Sequence, residues 1–175
     1  DFPAEDVIRM AEETRRLLPG IPMSVTIPHR LALTDQVTLA KYLELIGTDI
    51  IQTEGKVGVR NEKEGLAGVV QRATPTLAAA SAISKAVRIP VMCASGLTDV
   101  TAPLALAAGA SGVGIGTMVN KLSNREDMLR AVVSIATGMK RAQEEFASGV
   151  NGNVNENKNE NVHKETHMYM TSLRA

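Results

Sequence analysis

Two side chains in this sequence are suited to moving protons at neutral pH. His29 is the only histidine before residue 163. Its imidazole can shuttle a proton or hold a ligand, and it can equally be a loop histidine bonded to backbone. Glu54 closes the run Asp49-Ile50-Ile51-Gln52-Thr53-Glu54, with Gln52 two residues before it. A carboxylate at that point is a candidate general acid or base, or a structural partner for a neighbouring cation. A second chemistry is written in Ala94-Ser95-Gly96 and Gly114-Ile115-Gly116-Thr117. Phosphate oxygens reach backbone N–H groups only where no side chain intervenes, which Gly96, Gly114 and Gly116 allow. Ser95 and Thr117 add hydroxyl donors. The same glycines would also serve tight turns and close helix packing. Cys93 lies in an apolar run and reads as a small buried hydrophobe. His163 and His167 are four apart, but Lys164 stands where a metalloprotease helix needs Glu, so no metal site is expected. No lysine stands beside these segments except Lys56, which argues against Schiff-base chemistry.

The elements that must carry these residues follow from periodicity. Val7, Ala11 and Leu18 fall on one face of a helix over 4–18, ended by Pro19-Gly20. Ile21 to His29 reads as a strand, and Thr34 as the N-cap of a helix over 35–46. Asp49 to Glu54 is the second strand. A glycine-containing loop from Gly55 to Thr74, with a short helical turn near 66–72, leads to a helix over 75–87 with Pro75 in its first turn and Thr74 as its cap. Ile89 to Gly96 is the third strand, 101–108 a short helix closed by Gly109, and Gly112 to Val119 the fourth strand. Ser123 and Glu126 form a capping box for a last helix over 124–146, whose stripe is Met128, Val132, Ile135, Ala136 and Met139.

This alternation means parallel strands joined by crossover helices. Ile21-Pro22 and Ile89-Pro90 open the first and third strands 68 residues apart, an echo that favours barrel-type duplication over a doubly wound sheet. The expected fold is α/β, the C-terminal half of a parallel (β/α)8 TIM barrel over 1–147. Four such strands leave two open edges and an uncovered inner face, with Val25, Ile50 and Met92 expected on it. In such a barrel the reactive groups sit at the C-terminal strand ends, where His29, Gln52, Glu54, Ser95 and Gly116 all fall. Alternation sends Ile51 and Thr53 outward to the helices and Gln52 and Glu54 into the mouth. Residues 148–175, with Asn at every second position from 151 to 161, are expected to be a disordered tail.

The strings IPMSVTIPH, TDQVTLAKYLELIGTDIIQTEG, ATPTLAAASAISKAVRIPVMCASGL and APLALAAGASGVGIGTMVNKL resemble the hypothetical chloroplast open reading frame twenty-three family over roughly 21–145. The resemblance implies an aldolase-type TIM barrel of unassigned activity located in the plastid, with an N-terminal half that this chain does not show. Lys56 stands where that family commonly has a second glycine after TEG.

Composition narrows the function. Lys plus Arg and Asp plus Glu are 19 each, so no basic surplus points to nucleic acid. Aromatic residues are 2%, too few for base-stacking platforms. No apolar run is long enough for a membrane span. One cysteine excludes an internal disulfide. The chain opens on Asp1, so it reads as processed, partial or trimmed. Three readings are carried forward: an enzyme acting on a small phosphorylated metabolite, with Glu54 or His29 as acid/base; an FMN oxidoreductase using the same phosphate cradle; and a non-catalytic barrel that binds a phosphorylated effector. A half-barrel with two open edges is expected to be completed either by a missing half on the same natural chain or by the pairing of two halves in an oligomer.

Overall fold

The computed structural model describes residues 2–55 and 65–148. The chain divides into two compact units, Asp1–Gln143 and Glu144–Ala175. Of the second, only Glu144–Ser148 are described, so the expected tail lies outside the described residues. In chain order the elements are α1 (Ala4–Leu17), β1 (Ser24–Ile27), α2 (Leu33–Leu45), β2 (Ile50–Thr53), α3 (Gly65–Ile83), β3 (Val91–Ala94), α4 (Ala102–Ala107), β4 (Gly112–Gly114), α5 (Thr117–Asn120) and α6 (Arg125–Ala147).

The four strands form one parallel sheet in the order β1-β2-β3-β4. Register pairs Val25 with Ile51, Gln52 with Met92 and Ala94 with Gly114. Because side chains alternate, one face carries Ile27, Ile51, Thr53, Val91 and Cys93, nearly all fully buried. Leu39 and Leu43 of α2, Ala80 and Ile83 of α3, Val7 and Ala11 of α1 and Ala105 of α4 join them in one core. Each buried Leu or Ile contributes about 1.5–3 kcal/mol. Strand order is thus sequential, and these helices pack on one face of the sheet. The other face, with Ser24, Thr26, Ile50, Gln52, Met92 and Gly112, is half-buried or exposed. Val25 is a correction: it shares the parity of Ile27 and packs against the core, not on the inner face.

Several boundaries moved, each for a physical reason. The strands are shorter than read, and β4 stops at Gly114 because α5 begins three residues later. Leu18 lies past the end of α1 and is exposed. Thr34 does not cap α2; the helix starts at Leu33, and the Ala32 carbonyl accepts from Asp35 and Gln36. α3 runs unbroken through Pro75. Ala73, Thr76, Ala79 and Ala80 are buried on both sides of the proline, so packing outweighs the missing N–H. Thr74 accordingly donates to the Val70 carbonyl at 2.8 Å instead of capping. The α6 cap sits one residue later than read: Asn124 Oδ1 accepts from the Asp127 N–H at 2.8 Å. Val132 and Ala136 of the expected stripe are exposed, whereas Gly138 and Ala142 face inward. Gly47 and Gly109 do follow α2 and α4 as read, at φ 88° and 86°, the left-handed conformation that ends a helix.

The N-terminal ends of the strands are tied by side chains. Asp49 Oδ2 accepts from the Met23 N–H at 2.7 Å and from Arg15 Nη2 at 2.5 Å. Arg15 also donates to the carbonyls of Pro19, Ile21 and Gly47. One guanidinium thus joins the end of α1, the approach to β1 and the turn before β2. Glu44 Oε1 accepts from the N–H groups of Arg88 and Ile89, holding the approach to β3 against α2. The Met23 N–H and then Arg15 hold the Asp49 carboxyl below the usual carboxylate range. A lowered folded value stabilises above the unfolded value and is lost as pH falls through the folded one. Asp49→Asn should therefore lower the melting temperature at pH 7, and the gap from the parent should narrow below about pH 4, measured by circular dichroism melts across pH.

Candidate functional site

β1 and β2 run side by side with Ile27 opposite Thr53, so the chain leaves both strands at the same level. That brings His29 and Glu54 together. Glu54 Oε2 accepts from the His29 backbone N–H at 3.2 Å and lies 2.8 Å from His29 Nδ1. The His29 side chain is 11% exposed and that of Glu54 29%. A carboxylate only accepts, so it holds the neutral imidazole with its proton on Nδ1 and leaves Nε2 as a base. The two acid/base candidates are therefore one unit, with Glu54 as the orienting partner. Gln52 lies on the same open face, opposite Thr26 and Met92.

The next strand end is fitted closely to this pair. A Cβ on Gly55 would lie 2.9 Å from the Ser95 carbonyl oxygen, so the backbone after Glu54 passes directly against Ser95. Ser95 itself has φ 69°, an uncommon conformation for a residue with a side chain. Gly96 follows at φ 73°, and a Cβ there would lie 2.3 Å from the Arg72 carbonyl oxygen. Glycine is needed at 96 both for that conformation and for contact with α3. Gly114 faces Ala94, and a Cβ would come within 3.3 Å of the Ala94 methyl. Gly116 has φ −107°, and a Cβ there would make only an ordinary contact, 3.8 Å from Asn120 Nδ2, so neither backbone nor packing demands glycine there. Gly116 and Thr117 are exposed at the start of α5. Packing thus accounts for Gly96 and Gly114 but not for Gly116, whose carbonyl accepts from the Val119 and Asn120 N–H groups.

Sequence reasoning missed the cluster that buttresses these ends. Thr76 Oγ1 of α3 donates to the Ala94 carbonyl at 2.5 Å, and Thr53 Oγ1 lies 2.7 Å from Thr76 Oγ1. Cys93 Sγ is 3.4 Å from the same hydroxyl. Both threonines are fully buried. Since the Thr76 proton goes to Ala94, Thr53 donates to Thr76, and the chain of bonds fastens β2, α3 and β3 behind the site. Burial pushes the Cys93 thiol up, and the threonine hydroxyls oppose that only in part, which favours the protonated thiol. The signal was a hydrophilic residue at an outward position of a strand, Thr53, matched by Thr76 on a helix.

A cleft of about 550 Å³ runs between α1 and the outer edge of β1. Its lining includes Met10, Thr14, Ser24, Thr26 and Glu54, but none of the five phosphate candidates. Among the described residues, no helix is long and apolar enough to cross a membrane.

Residues 1–145 match the model of a family described as a protein of unknown function, DUF561. The chain belongs to that family. The resemblance drawn from its strand-end strings therefore holds. An uncharacterized protein ycf23 of Porphyra purpurea is 38% identical over 128 residues, 73% of this chain and 48% of that protein. Its counterpart in Cyanophora paradoxa is 44% identical over 134 residues, 75% of this chain and 54% of that one. The chain spans about half the length of the curated relatives it matches. These relatives of red algae and glaucophytes are plastid-encoded, which supports a plastid location for this DUF561 member. Among solved structures, a cube-shaped, porous protein cage designed by fusing symmetric oligomeric domains shares 12% identity at a TM-score of 0.39, covering 93% of this chain and 65% of that one.

Two outcomes follow from the geometry. Thr76→Val should cost about 1–3 kcal/mol in urea unfolding, because it strands the buried Ala94 carbonyl, while Thr76→Ser should keep most of that. Nitrogen-15 shifts of neutral His29 should report the Nδ1–H tautomer in the parent. Glu54→Leu should return it to a mixture of tautomers.

Proposed function

We propose that this chain is the half of a (β/α)8 enzyme that carries the acid–base pair, and that it moves a proton on a small phosphorylated metabolite. The observation that carries the reading is the 2.8 Å contact of Glu54 Oε2 with His29 Nδ1 at adjacent C-terminal strand ends. In a parallel barrel that end is where chemistry is done. The carboxylate sets the imidazole tautomer and stabilises the imidazolium formed when Nε2 takes a proton. Glu54 positions, and His29 exchanges the proton. Gln52, on the same face, is suited to hydrogen-bond a substrate carbonyl or hydroxyl.

The phosphate would lie at the ends of β3 and β4, on the backbone around Ser95, Gly96, Gly114 and Gly116, with the hydroxyls of Ser95 and Thr117. Support comes from the short helix that follows the last strand and from the exposure of Gly116 and Thr117 at its start. Loops after the last two strands of phosphate-binding barrels use such an arrangement. A proton transfer next to a carbonyl, as in aldolase- or isomerase-type reactions, needs no further group from this half.

The test is a panel of three- to six-carbon sugar and keto-acid phosphates, screened by thermal shift on the purified protein. Any stabilising compound is then followed for deuterium uptake from heavy water by NMR. Uptake should occur, and His29→Ala should slow it by about 10²–10⁴-fold without weakening binding comparably. Uptake indifferent to His29→Ala would sink the reading. Binding without any uptake would leave only an effector-binding role.

A further inference from the structure

Among the described residues every lysine and arginine is exposed except Arg15 and Arg72, which are half-buried. Arg15 is well partnered, by Asp49 and by the carbonyls of Pro19, Ile21 and Gly47. The Arg72 side chain makes neither a hydrogen bond nor an ion pair among the described residues. A guanidinium cannot lose its charge, so drawing it partly out of water without a counter-charge is unfavourable. Its surroundings belong to this chain, because α3 packs against α2 and α4 and lies on β2 and β3. Thr76 bonds to Thr53, the last residue of β2, and to the carbonyl of Ala94, the last of β3. Arg72 stands one helical turn before Thr76, and so over the gap between those two strand ends. In a parallel crossover the helix begins at the C-terminal ends of the strands, and helical side chains lean toward the helix N-terminus. A Cβ on Gly96 would lie 3.4 Å from the Arg72 Cβ, so glycine leaves room for the arginine stem beside the Ser95-Gly96 turn. The Ser95 hydroxyl on that turn is half-buried and likewise makes no hydrogen bond among the described residues. Glu54, on the adjoining strand end, is engaged by His29.

We propose that Arg72 anchors the phosphate group of the substrate, over the gap between the ends of β2 and β3. The guanidinium fork offers two parallel N–H donors, which match two oxygens of one phosphate. Ser95 Oγ adds a donor from the facing turn. This rests on the phosphate part of the reading above and deepens it, since a side chain of α3 then selects for charge where backbone amides alone would not. It also sets an order across the mouth, with His29 past β1, Glu54 past β2 and the anion next to them at β3. The dephosphorylated analogue of a substrate would leave the fork unpaired, and a site of that kind discriminates strongly against it.

The probe is inorganic phosphate, titrated into the 175-residue chain and into Arg72→Met and Arg72→Lys, with calorimetry and thermal melts as readouts. The parent should bind phosphate saturably. Arg72→Met should weaken that binding about 10–100-fold, and Arg72→Lys, which keeps the charge but not the fork, by less. In phosphate-free buffer Arg72→Met should melt no lower than the parent, because it removes an unpaired, half-buried charge. A structural arginine would instead lower the melting temperature with or without phosphate, and that result overturns the assignment. Phosphate binding that Arg72→Met leaves unchanged also overturns it, as does a parent without saturable binding. If Arg72→Met fails to fold, Arg72→Lys decides: unchanged affinity overturns the anchor, and weakened affinity supports it. Phosphate binding governed by Arg72, with no deuterium uptake on any compound, would keep the anchor and remove the proton-transfer reading. Uptake that Arg72→Met leaves unchanged in rate and in apparent affinity would do the reverse.

Discussion

Everything in this molecule depends on the sidedness of its sheet. Parallel strands need crossover helices, and here the helices that share its core pack on the same face. Ile27, Ile51, Val91 and Cys93 are therefore sealed under them, while most of the alternate residues are half-buried or exposed. The period of two in a strand then determines which residues reach the open face. Gln52 and Glu54 fall on the open face because Ile51 and Thr53 are taken by the core. A slip of one residue in register would bury Glu54 without a partner and expose Ile51, which neither burial nor charge would tolerate.

The two ends of the strands are held by different kinds of contact. At the N-terminal end, Arg15, Asp49 and Glu44 cross-link turns to strands through backbone groups. None of the chemically suited residues lies there. At the C-terminal end, side chains touch each other: His29 meets Glu54, and Gly55 lets the backbone approach Ser95. Precision at this end comes from behind. The Thr53–Thr76–Ala94 bonds hold β2 and β3 to one helix, so the positions of Glu54 and Ser95 are coupled through buried hydroxyls. The left-handed φ of Ser95 is held within that frame.

The glycines show why a composition of small residues does not by itself mark a ligand site. Gly96 is required by the Arg72 carbonyl, and Gly114 is pressed to Ala94. Gly116 is free of both demands. The helix that Gly96 touches is the one that runs through Pro75, so the closest backbone contact in the site depends on a helix that local propensity would have broken.

By itself the sequence determined the α/β alternation, the parallel sheet, the outward Ile51 and Thr53, the helix ends at Gly47 and Gly109, and the placement of Glu54 and His29 past the ends of two strands. All of these are local: a period, a turn residue, a residue type at a strand end. Only the tertiary structure decided that Glu54 and His29, 25 residues apart, are bonded to each other. It alone carried α3 through Pro75, because burial of Ala73, Ala79 and Ala80 outweighs one missing hydrogen bond. It alone moved the α6 cap to Asn124 and joined Thr53 to Thr76. Those outcomes turn on which atoms of distant segments come within reach, and a one-dimensional pattern carries no such distance.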